Sequence, residues 1–63
     1  MKPQDFKLKD RFRIKTVAWK KWEIAEVVKV KPDAIFVKLE HYDTPMKLSA
    51  QQLEFYGENI IKL

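Results

Sequence analysis

The residues able to do chemistry in this chain are few, and their spacing does not make a catalytic set. The one histidine, His41, lies in "HYDTP" with Asp43 as its neighbouring oxygen ligand, too little for a metal site. No carboxylate or hydroxyl stands at a spacing that would orient His41 as a general base. Cysteine is absent, which removes thiolate ligands, disulfides and thiol nucleophiles. Neither a metal, a cofactor nor enzymatic activity is therefore expected. The stretch that draws attention is "AWKKWEIAEVVKVK", residues 18 to 31, in which Trp19 and Trp22 bracket Lys20 and Lys21. An exposed indole beside lysines stacks on a base while the ammonium groups meet phosphates, worth roughly 1–3 kcal/mol per base.

The two tryptophans are expected to differ. Trp22 heads an apolar alternation with Ile24, so its ring is expected in the core or at one end of it. Trp19 stands outside that alternation, between Ala18 and the lysines, and is expected to be functional. The competing reading has Trp19 capping the fold, with lysine stems packed over it. Tyr42 borders the same candidate groove. Arg11, Arg13 and Lys15 share one face of a segment, and Lys29 and Lys31 share one face of the next. Placed side by side these rows would make a basic stripe, diluted by Glu23, Glu26 and Glu40. The bland alternative is a solvated face of mixed charge.

Composition sets the frame for these residues. The 63-residue chain carries 13 Lys and Arg against 9 Asp and Glu, a net charge of +4, which suits an anionic partner. A chain this short buries only about 60% of its unfolded surface, so one small core is all it can build. No apolar run approaches the ~20 residues of a membrane span, and "MKPQDFKLKD" has no signal-like apolar region. No membrane partner is expected, and the lack of cysteine suits a cytoplasmic, intracellular setting.

The elements that must position the candidate residues are strands. "DRFRIKT" alternates Phe12 and Ile14 with Arg11, Arg13 and Lys15. "WEIAEVVKVK" places Trp22, Ile24, Val28 and Val30 in one phase and Ala25 and Val27 in the other. The change of phase predicts a bend or bulge near Glu26 to Val28. "KPDA" has turn chemistry, with Pro32 fixing φ and Asp33 following. "AIFVKLE" sets Ile35, Val37 and Leu39 inward, leaving Phe36 either in solvent or packed beneath the terminal segments, the latter being the expectation. Met46 and Leu48 face inward in a short strand. Ser49 and Gln52 form a capping box, but with "LEFY" following, a single 3₁₀ turn is expected. "ENIIKL" either closes the sheet against "FKL" (Phe6 to Leu8) or forms a sticky end. One domain is expected over 1–63, with 1–8 and 57–63 as terminal segments that pair or pack on it. The fold class expected is all-β, a small five-stranded antiparallel SH3-like barrel with one 3₁₀ turn before the last strand.

The segments "KDRFRIK", "WEIAEVV", "IFVKLEHYD" and "LSAQQLEF", within Lys9 to Phe55, resemble Tudor-type barrels of the SH3-like class. Retroviral integrase C-terminal domains, which bind DNA, look similar. So does the small plasmid-type dihydrofolate reductase, although "MKLS" stands where that enzyme carries its site segment. The Tudor resemblance implies an aromatic cage for an alkylated ammonium, with Trp19 or Trp22 as one wall, Tyr42 as another and Asp43 beside them. Glu23 occupies a position that is often aromatic in those readers.

Two functions are expected of such a chain. The first is a nucleic-acid-binding module using Trp19, Lys20, Lys21 and Tyr42 with the basic row of Arg11, Arg13, Lys15, Lys29 and Lys31. The second is a protein- or peptide-interaction module with a Tudor-like groove or strand-edge addition, possibly within a larger assembly. A monomer or weak homo-oligomer is expected in either case.

Overall fold

The computed structural model describes residues 1–15 and 21–63. Its strands are β1 (Arg11–Lys15), β2 (Trp22–Lys31), β3 (Ala34–Leu39), β4 (Met46–Ser49) and β5 (Ile60–Lys62). They form one antiparallel sheet in the order β4-β3-β2-β1-β5. A helix, α1 (Ala50–Tyr56), and a 3₁₀ turn, Gly57–Asn59, carry the chain from β4 to β5 across opposite edges of the sheet. A further 3₁₀ turn, Pro3–Asp5, precedes β1. The protein is thus mostly β, with five strands, as the alternating apolar pattern requires.

The core sits on one side of the sheet. Phe12 and Ile14 of β1, Ala25 and Val27 of β2, Ile35, Val37 and Leu39 of β3, and Leu48 of β4 are buried there. Leu53 of α1, Ile60 of β5 and Phe6 complete it. Phe6 meets Phe12 with ring centroids 5.2 Å apart and planes tilted by 58°, within the favoured range for aromatic pairs. The N-terminal segment therefore contributes a core side chain and no strand.

The bulge lies where the change of phase placed it, with the β2–β3 register shifting between Val27 and Lys29. Val28 is the extra residue. Beyond β1 the ladder continues through an irregular pairing. The Val27 N–H donates to the Asp10 carbonyl at 2.8 Å, and the Lys9 N–H donates to the Val27 carbonyl at 2.8 Å. Lys9 takes a left-handed conformation, with φ of 72°, to make this approach. Pro32 and Asp33 turn the chain from β2 into β3. The Gln4 amide donates to the Pro32 carbonyl at 3.1 Å, and the Ala50 N–H donates to the Asp33 carbonyl at 2.9 Å. The hairpin tip is thereby tied to both the N-terminal segment and the start of α1.

Two expectations about elements are corrected. "SAQQLEFY" forms a seven-residue α-helix instead of a lone 3₁₀ turn. The Ser49 hydroxyl accepts from the Gln52 N–H at 3.2 Å, and the Gln52 side chain accepts from the Ser49 N–H at 2.9 Å. With that box closed, burying Leu53 outweighs the strand-like look of "LEFY". The closing strand pairs elsewhere too. β5 lies against β1, with Ile60 opposite Ile14 and Lys62 opposite Phe12, and not against Phe6 to Leu8. Lys62 links the two terminal segments instead: its ammonium donates to the Asp5 carbonyl and stands 4.9 Å from the Phe6 ring centroid.

Candidate functional site

The outer face of the sheet follows from register. Because Phe12 pairs with Ala25 and Val27 with Val37, all four point into the core, and their neighbours along each strand point out. On β1 the outward residues are Arg11, Arg13 and Lys15. On β2 they are Trp22, Ile24 and Glu26, then Lys29 and Lys31 beyond the bulge. β3 presents Phe36 and Lys38, with Glu40 just past its end, and β4 presents Lys47. Seven cations thus share the outer faces of β1 to β4 with two carboxylates, Glu26 and Glu40.

The positive charge gathers around two aromatic rings. At one end Trp22 lies opposite Lys15, and the Arg13 guanidinium stands 5.5 Å from the Trp22 ring centroid. At the other end Phe36, half-buried, has Lys29 of β2 and Lys47 of β4 as its cross-strand partners. The Lys31 ammonium is 5.5 Å from the Phe36 ring centroid. Between the two lies the row Arg11, Glu26 and Lys38, in which Arg11 Nε and Glu26 are 3.9 Å apart. That pair is exposed and adds little stability. Beside it an open depression of about 260 Å³ is lined by Arg11, Ile24, Glu26, Lys38, Leu39 and Glu40.

Several expectations meet this geometry differently. Trp22 is 38% exposed on the outer face, so it is not a core residue. The competing phase of Ala25 and Val27 took the core, and with it Glu23, which faces inward opposite Ile14. Glu23 therefore does not dilute the basic face. The rows on β1 and β2 do not lie side by side. Arg11, Arg13 and Lys15 face Glu26, Ile24 and Trp22, while Lys29 and Lys31 lie farther along β2, beyond the end of β1, and face β3. Phe36 is on the outer face among lysines, not stacked beneath a terminal strand. Lys38 and Lys47 belong to the same surface and escaped the sequence reading. The signal was there, because both alternate with core residues of β3 and β4.

Trp19 and Lys20 lie outside the described residues. Lys21 is exposed, with its ammonium 3.6 Å from the Glu23 carboxylate. Tyr42 is half-exposed, and its N–H donates to the Leu39 carbonyl at 3.1 Å. His41 does have a carboxylate partner, contrary to expectation. Its Nε2 is 3.9 Å from Glu23, which reaches it from β2 across the fold. Among the described residues no cluster of three His, Cys, Asp or Glu is placed to hold a metal ion. None of the described helices is long and apolar enough to cross a membrane.

Comparison with protein-family models, with curated proteins and with solved structures returns no match.

Proposed function

We propose that this chain is a non-enzymatic binding module for nucleic acid, engaging it through the outer face of its sheet. The observation that carries this reading is the concentration of seven cations against two carboxylates on the strands' outer faces. The remaining surface is close to balanced, since the whole chain has a net charge of only +4. Arg13 and Lys15 at one end, Lys29, Lys31 and Lys47 at the other, and Arg11 and Lys38 between them are the phosphate-binding groups. Binding measured against salt concentration tests the proposal. Neutralised phosphates release counterions, so the log–log slope is about −0.7 per phosphate for a single strand and about −0.9 for a duplex. Engagement of about four phosphates gives a slope near −3 to −4. A flat response, or no binding at low salt, contradicts the reading.

A second reading, a protein- or peptide-binding module, rests on the edge strand β5. It has β1 on one side only, and Ile61 and the following Leu63 are exposed there. An extended peptide adds to such an edge through main-chain hydrogen bonds. Titration with an acidic peptide, followed by changes at β5, separates it from the first reading.

A further inference from the structure

We infer that the nucleic acid is taken as a single strand, with bases stacked on Trp22 and Phe36 and the intervening backbone held by the cations between them. The inference rests on the nucleic-acid reading above and adds the class of ligand.

Two observations carry it. First, two aromatic rings on the outer face each have a cation over them: Arg13 over Trp22, and Lys31 over Phe36 with Lys29 and Lys47 on its flanks. That pairing of a π face with adjacent positive charge is what an unpaired nucleotide requires, since its base offers a face and its phosphate a charge. In a duplex the faces are stacked away and only the edges are open, so the rings would have nothing to meet. A purely phosphate-binding surface has no use for an exposed Trp22 or for a half-buried Phe36 among its cations.

Second, the cations are spread over four strands of a body of only 28 × 23 × 19 Å, with a bulge of β2 between the two rings. Trp22 and Lys29, the partner of Phe36, are separated by about 23 Å along β2 at ~3.3 Å per residue. A flexible single strand reaches both rings with a site of several nucleotides. α1 is only two turns long, and its sequence "AQQLEFY" has no Lys or Arg.

The test uses the full chain with a fluorescent single strand of about twelve nucleotides of mixed sequence, within the span of known single-strand sites, and with the duplex of the same sequence. Anisotropy titrations are expected to show the single strand bound at least about tenfold more tightly than the duplex at equal salt. Trp22→Ala and Phe36→Leu are each expected to weaken single-strand binding by about 5- to 150-fold, the range that loss of one stacked base implies. The salt slope should stay nearly unchanged in both variants, because no phosphate contact is removed. Trp22→Phe, which keeps a ring, is expected to retain most of the affinity. Circular dichroism checks that each variant remains folded. If the duplex binds as tightly as the single strand and the ring variants change nothing, the stacking inference is overturned while the electrostatic reading stands. If neither binds at low salt, both fall.

Discussion

At the scale of single residues, side-chain direction matters more than residue type. Trp22 looks like a core residue because it alternates with Ile24. The alternative phase, with Glu23, Ala25 and Val27, won because Ala25 pairs with Phe12 and Val27 with Val37. A carboxylate on the buried face hides that phase from any sequence pattern, and Glu23 is tolerated there because Lys21 and His41 stand within 4 Å of it. Since Trp22 is 38% exposed, Trp22→Ala is expected to cost about 1–2 kcal/mol by thermal denaturation, below the ~3–5 kcal/mol of a fully buried Trp. A cost at the upper figure would put the ring back in the core. Lys9 offers the opposite case. A side chain at φ of 72° is strained by about 1–2 kcal/mol, and glycine relieves that at some entropic cost. Lys9→Gly is therefore expected to raise stability by about 0.5–1 kcal/mol, seen as a higher unfolding midpoint; an unchanged or lower midpoint would mean that the left-handed conformation is not strained.

At the scale of elements, α1 is held by contacts of different kinds. Its only buried side chain is Leu53, and its start is fixed by the reciprocal Ser49–Gln52 hydrogen bonds. Leu53→Ala is expected to cost about 2–5 kcal/mol, much of the stability of a domain this small. Ser49→Ala is expected to cost about 1 kcal/mol, lowering the midpoint by roughly 4–8 °C. Equal effects from the two variants would contradict this division. The capping box was legible in the sequence, and so were the hairpin turn at Pro32–Asp33 and the bulge at Val28. What was not legible depends on long-range competition. "LEFY" reads as a strand until Leu53 is seen to find the core from a helix. "NIIKL" reads as a partner for any apolar neighbour until Ile60 is seen opposite Ile14. The individual basic residues were visible from their alternation. Their division into two groups was not, because it arises from the β1–β2 register and from Lys38 and Lys47 joining across β3 and β4.

At the scale of the whole molecule, the sheet separates two chemistries. One side holds the apolar core, and the other holds seven cations together with Trp22 and Phe36. The helix α1 carries no Lys or Arg. The most direct test of the outer face as the binding surface is an amide chemical-shift map of the isotope-labelled protein, titrated with a short single-stranded oligonucleotide. The largest shifts are expected at Arg13, Trp22, Ile24, Lys29, Phe36, Lys38 and Lys47, with α1 and the 3₁₀ turn Pro3–Asp5 undisturbed. Shifts confined to α1, or to the exposed edge at Ile61 and Leu63, would contradict binding through the outer face.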